Sequence, residues 1–261
     1  MATRPQILRP ISPAQTDPIR IVPLHFPSPG ITAAPAAAPQ LTYRNGPLLT
    51  AVEVFTVFWG TGWDAAPMNA LMRDLNVFFD EILDGVLMDQ LAEYSVPGQT
   101  IGHGRHTGST VLVAPALGAS VTDRTIQHVL EQEISTNSAF PQPNANRLYF
   151  LYVPPNVRVV QGGSASCQAF CGYHNDINGQ IFYAVMPYPG CSGCMGGLQQ
   201  FEALTSTSSH ELCEAITDPI PGKGWYDDVH GEIGDICAWK TKKINNYVVQ
   251  LEWSNAENKC L

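Results

Sequence analysis

Apolar and polar positions change period several times along the chain, and each change marks an element. "LLTAVEVFTVFWG" (48–60) is an almost unbroken run of aliphatic and aromatic residues, which predicts a buried strand. Between 66 and 94 the apolar positions Met68, Leu71, Met72, Leu75, Phe78, Phe79, Ile82 and Leu83 follow an i, i+3, i+4, i+7 stripe. That period predicts an amphipathic helix with Pro67 in its first turn. The Gly-rich stretch 96–110 reads as a loop and "TVLVAPA" (110–116) as a short strand. "TDRTIQHVLEQEI" (122–134) is a helix opened by a Thr or Asp cap. "RLYFLYVPP" (147–155) is a strand ended by its prolines, and "GQIFYAVMPYP" (179–189) is another after an Asn178-Gly179 turn. Residues 198–219 return to a helical pattern that stops at Asp218-Pro219, and 242–253 reads as a hairpin about Asn245-Asn246.

Strands alternating with helices, without internal repeats, predict an α+β fold with a twisted mixed β-sheet. Residues 1–40, rich in Pro and Ala and without periodicity, read as a mobile N-terminal arm, leaving 41–261 as one domain. The element order also suits a zincin-like domain, in which an edge strand precedes the active-site helix. On that analogy the strand at 181–186 would pair with a substrate backbone.

Charge narrows the partners. Only 14% of the 261 residues are charged and the formal net charge is −9, with no basic cluster to track phosphates. Nucleic acid and anionic lipid surfaces are therefore unexpected partners. No apolar run nears the roughly 20 residues of a membrane span, and the N-terminus lacks the compact apolar core of a signal peptide. All seven cysteines, 167, 171, 191, 194, 213, 237 and 260, lie in the C-terminal part of the chain. The Cys167/Cys171 and Cys191/Cys194 pairs suit a four-cysteine zinc site or disulfides, with disulfides preferred. The odd count leaves one thiol over, for which Cys213, inside a helix motif, is the natural candidate.

That motif is "SSHELCEAITDP" (208–219), which contains His210-Glu211-x-x-Glu214, one letter from the H-E-x-x-H helix of zinc peptidases. Residues i and i+4 share a helix face about 6 Å apart, so His210 and Glu214 can hold one metal ion. Glu211, one position round, is placed to act as general base on a metal-bound water. A third ligand has to come from elsewhere. "HGEIGDIC" (230–237), returned by a Pro/Gly turn, offers Glu232 as first choice and Asp235 as second. Asp218 and Asp227 are candidates to orient the ligands from behind. One His with two carboxylates is a harder donor set than two His. Zinc is the expected ion, held more weakly than by two His, with manganese or calcium tolerated better than at a two-His site. The alternatives are a structural calcium site built from Asp218, Glu232 and Asp235, and a solvated polar helix face.

Weaker candidates are His103 and His106 in a surface loop, and His174 in "CGYHND", read as a hydrogen-bonded structural residue. Cys213 has no visible partner for nucleophilic work. Trp59, Trp63, Trp225 and Trp239 read as core or cleft wall. No nucleophile elbow, P-loop or dinucleotide fingerprint is present.

The pieces "GPLLTAVEVFTVFWG", "CQAFCGYH", "PGCSGC", "HELCEAITDP", "GWYDDVHGEIGDICAW" and "NKCL" together resemble the phosphate-induced protein/EXORDIUM family over about residues 46–261. Plant members of that family are extracellular, disulfide-containing proteins. Bacterial relatives that keep H-E-x-x-E, T-D-P and E-x-x-D look like zincin-type metalloproteins. The resemblance implies a Cys237–Cys260 disulfide, with Cys167, Cys171, Cys191 and Cys194 paired among themselves. It also implies an extracellular or cell-envelope setting, a departure being that no signal peptide is visible. The expectation is a monomeric zinc metallopeptidase acting on a peptide or protein. The alternative is a non-catalytic extracellular protein with a structural metal, binding a wall glycan or a protein partner.

Overall fold

A computed structural model describes residues 21–25 and 38–261. Its centre is a six-stranded mixed sheet. The strands are β1 (Ile21–Pro23), β2 (Glu53–Trp59), β3 (Arg105–Leu112), β4 (Arg147–Tyr152), β5 (Phe170–Ile177) and β6 (Ile181–Met186), in the order β1-β5-β6-β4-β2-β3. The strands β6, β4, β2 and β3 run parallel; β5 is antiparallel to both β6 and β1.

The parallel strands are apolar at successive positions because both of their faces are covered. Val54, Phe58, Leu148, Phe150, Phe182 and Met186 face one core, packed by α1 (Met68–Ile82), α2 (Val86–Leu91) and α4 (Gln200–Thr217). Phe55, Val57, Trp59, Tyr149, Leu151 and Val185 face a second core under α3 (Asp123–Thr136). The result is a helix–sheet–helix layering, a mixed α and β fold as the pattern predicts.

Several expectations need correction. The 66–94 segment is two helices, broken where Gly85 adopts an extended conformation. The 96–110 stretch is only partly loop, because β3 begins at Arg105. The segment around "CGYHNDI" is the strand β5. As a consequence β6 is paired on both sides and is not an edge. Its backbone groups are used, so it cannot take up a substrate strand; the edges are β1 and β3. Of the expected arm, residues 1–20 and 26–37 lie outside the described residues, while Ile21–Pro23 pairs with β5.

The helix α4 carries the motif and is buried on all sides from Ala203 to Thr217. One side lies on the sheet and the other under the hairpin Thr241–Ile244/Tyr247–Gln250. Its run of small hydroxyls explains how a polar helix can be enclosed. Thr205 donates to the Val248 carbonyl (2.7 Å), Ser208 bonds the Tyr152 hydroxyl (2.7 Å), and Ser209 accepts from the Gln250 N–H (2.9 Å). A Gln199/Glu202 capping box starts the helix. It ends where the Asp218 carboxylate accepts the N–H groups of Gly222 (2.6 Å), Lys223 (2.9 Å) and Gly224 (2.5 Å), turning the chain back.

Three disulfides join Cys167–Cys191, Cys171–Cys194 and Cys237–Cys260, and Cys213 is the free, buried thiol.

Candidate metal centre

The centre lies where α4, β5 and the 231–235 segment meet. His210, Glu211 and Glu214 come from α4, His174 from β5, and Glu232 and Asp235 from the returning segment. His174, His210, Glu211, Glu214, Asp218, Glu232 and Glu252 are each 0% exposed.

His210 and Glu214 meet as their spacing requires, with Nε2 2.9 Å from Oε1 but off the line of a hydrogen bond. Of the two candidates for a third ligand, Asp235 falls within reach of that pair: His210, Glu214 and Asp235 form one group with donor atoms within 4.8 Å of one another. Glu232, the first choice from sequence, lies instead at His174, with Oε1 3.5 Å from Nε2. Asp218 contributes through its backbone carbonyl, 3.2 Å from His174 Nε2, while its carboxylate is spent on the 218–224 turn. Asp227 also serves a turn, accepting from the N–H groups of Val229 and His230 and from Gln40.

Sequence reasoning set aside His174, which the structure puts at the heart of the site. Its Nδ1 lies 3.1 Å from Glu211 Oε2 and 3.5 Å from Glu214 Oε2. His174, Glu211 and Glu214 form a second group of three donors within 4.8 Å. Gln250 was not foreseen either. Its side chain lies 2.7 Å from His210 Nδ1 and donates to the Gly234 carbonyl at 2.9 Å. The signal for His174 was its place in a strand whose neighbours are buried; Gln250, on the hairpin that covers α4, gave none.

Six carboxylates and two imidazoles are enclosed together, and the charge cannot balance itself. Burial raises the Glu211 carboxyl and pushes those of Glu232, Asp235 and Glu252 well above their ordinary range. Burial opposes charge on the two imidazoles, but the acids around them outweigh it and hold both well above the ordinary value. Glu214, flanked by both imidazoles, overcomes its burial and falls to about 2. Glu211 Oε1, Glu214 Oε2 and both oxygens of Glu232 and of Glu252 lack an aligned hydrogen-bond partner among the described residues. Buried carboxylate oxygens left this way are costly unless a proton or a cation meets them. The donor set, imidazole and carboxylate oxygen, is one that divalent cations take.

The remaining candidates lie elsewhere. His103 sits between Asp84 (2.6 Å) and Asp89 (2.9 Å) at the surface, and His106 between Asp80 and Thr56 on β3, the far edge of the sheet. Trp59 and Trp63 are core. Cys213 is buried, and that burial raises its thiol well above the ordinary value, which suits packing and not nucleophilic attack.

No family model matches the chain, and no curated protein matches it. Among the described residues no helix is long and apolar enough to cross a membrane.

Proposed function

We propose that this protein is a metalloprotein in which a divalent cation, zinc before calcium, sits between α4, β5 and the 231–235 segment. The observation that carries the reading is the set of unpartnered carboxylate oxygens of Glu211 and Glu214, fully buried beside His174 and His210. Because the donors are enclosed, the leading role is structural. The cation would join the sheet, the motif helix and the C-terminal segment, an arrangement typical of a closed centre. The three disulfides support an oxidising setting, extracellular or in the cell envelope, in keeping with the resemblance to the EXORDIUM family.

A second reading, zincin-like peptide hydrolysis, is favoured by one observation: Glu211 has a free oxygen immediately beside the other donors. A bound cation would supply Lewis acidity there, and Glu211 would take the proton of an attacking water. That reading requires the segment over α4 to move. A groove of about 460 Å³ lined by Leu48, Gln99, Asn144, Gln180 and Phe182 shares no residue with the donor cluster.

Elemental mass spectrometry on protein purified without added metal tests the proposal. About one equivalent of zinc in the wild type, lost in Glu214→Ala, is the expected result. No metal in either would overturn it. A peptide-library screen separates the two roles: cleavage abolished by chelation and by Glu211→Gln would establish hydrolysis.

A further inference from the structure

The two groups of donors share Glu214 and differ in everything else, so the hydrogen bonds behind them decide which holds the cation. We infer that the seat is His174 Nδ1 with Glu211 and Glu214, and that His210 is a positioning residue beside it. This rests on the cation reading above and names the donors that do the holding.

A backbone carbonyl can only accept a hydrogen bond. His174 Nε2 lies 3.2 Å from the Asp218 carbonyl oxygen, so Nε2 carries the hydrogen. In the neutral ring Nδ1 then presents a lone pair, and it faces Glu211 Oε2 at 3.1 Å and Glu214 Oε2 at 3.5 Å. A lone pair facing two carboxylates is repelled unless a proton or a cation stands between them, and a cation there meets both carboxylates at once. An imidazole that ligates through one nitrogen and donates from the other to a backbone carbonyl is the usual arrangement of a metal-bound histidine.

His210 has the opposite wiring. The Gln250 amide is orientated by two backbone groups: its nitrogen donates to the Gly234 carbonyl (2.9 Å) and its oxygen accepts from the Trp239 N–H (3.2 Å). Reversing it would set oxygen against a carbonyl and NH2 against an N–H. In that orientation the Gln250 nitrogen also donates to His210 Nδ1 at 2.7 Å. The hydrogen of a neutral His210 is thus on Nε2, the nitrogen that faces Glu214, and that nitrogen has no lone pair for a metal.

Glu214 follows the same division. Its Oε1 faces His210 Nε2 and accepts the Asp235 N–H (3.2 Å), while Oε2 has no aligned partner and faces His174. Asp235, from the competing group, uses Oδ2 to accept the Glu232 N–H (3.0 Å). Gly172 lies behind Glu211. A Cβ there would come within 2.7 Å of Thr207 Cγ2 and 3.3 Å of Glu211 Oε1, so the bare strand backbone leaves the carboxylate its place. With Glu211 a ligand, it is not free to be a general base, and the structural role gains.

Two isosteric variants separate the groups, because Glu211 belongs only to one and Asp235 only to the other. Zinc titrations by calorimetry on wild type, Glu211→Gln and Asp235→Asn should show Glu211→Gln weakened at least about tenfold more than Asp235→Asn, because only the first alters a donor and the second keeps the backbone N–H that Asp235 gives Glu214. The reverse order, or equal losses, overturns the assignment while leaving the cation reading standing. No zinc bound by the wild type overturns both and makes His174 a protonated counter-charge. A readout that does not depend on variants folding is long-range proton–nitrogen NMR of histidine-labelled wild type. One buried imidazole should carry its hydrogen on Nε2 with zinc at Nδ1. Zinc found instead at an Nε2 whose Nδ1 is protonated would assign the seat to His210.

Discussion

Glu53, at the first position of β2, shows how one carboxylate couples strand pairing to pH. Its Oε2 accepts from Asn144 (2.9 Å) and pairs with Arg147 (2.7 Å), and its Oε1 pairs with Arg105. The Asn144 amide, against the burial that opposes it, holds the carboxyl below its ordinary 4.5, helped by the two guanidiniums. A pKa lower in the folded than in the unfolded chain gives stability that is present above about pH 4.5 and lost as pH falls through the folded value. Glu53→Gln should therefore cost about 1–2 kcal/mol near neutrality, and the cost should shrink as the pH drops below about 4.5. Urea melts at a series of pH values check this; a cost independent of pH would show that ionisation is not its source. Gly234 is the second sensitive residue. A Cβ there would lie 2.7 Å from His210 Nδ1 and 2.9 Å from Glu214 Oε1. Gly234→Ala should destabilise by about 1–3 kcal/mol through overpacking and weaken cation binding, read by thermal denaturation and calorimetry.

At the scale of elements, the Cys237–Cys260 disulfide ties the short Asp235–Cys237 helical turn to Lys259–Cys260, which pairs with Trp253–Ser254. Closing a loop of this length contributes roughly 3 kcal/mol in the chain-entropy account. Replacing both cysteines by serine should lower Tm by about 6–12 °C and also weaken cation binding, because Gly234 and Asp235 lose their anchor. The Cys167/Cys191 double replacement should cost similar stability with a smaller effect on the cation. The same elements show what the sequence discloses. β2, β4 and β6 are long aliphatic and aromatic runs buried on both faces, and their pattern has no competing explanation. The break at Gly85 was hidden because apolar positions continue through it into α2. β5 was hidden because it sets Gly172 and His174 against α4, where a buried strand ordinarily carries branched aliphatics. The motif helix was legible since His210 and Glu214 are one turn apart. Its partners were not: His174 and Gln250 reach it only through sheet order and the folding back of the hairpin, which no local period encodes.

For the whole molecule, the proposed cation would make stability depend on a ligand and on pH together. Six carboxylates enclosed with two imidazoles either take up protons or hold a cation. A cation that binds only the folded chain adds RT ln(1 + [L]/Kd), about 2.7 kcal/mol at a hundredfold excess over Kd. In a chain of this size chelation should then lower Tm by about 5–10 °C. Protons compete for the same donors, so the sign with pH is fixed. In the cation-free cluster the surrounding acids hold His174 well above the ordinary imidazole value, and burial raises Glu211. A falling pH fills these groups and expels the cation. The gap in Tm between cation-loaded and chelated protein should therefore narrow steadily as the pH falls from about 8 towards about 5. Paired calorimetric scans across that range measure it. A gap that stayed constant, or widened on acidification, would mean that the bound ion is not competing with protons at these donors. The enclosed charge would then be neutralised by protonation alone.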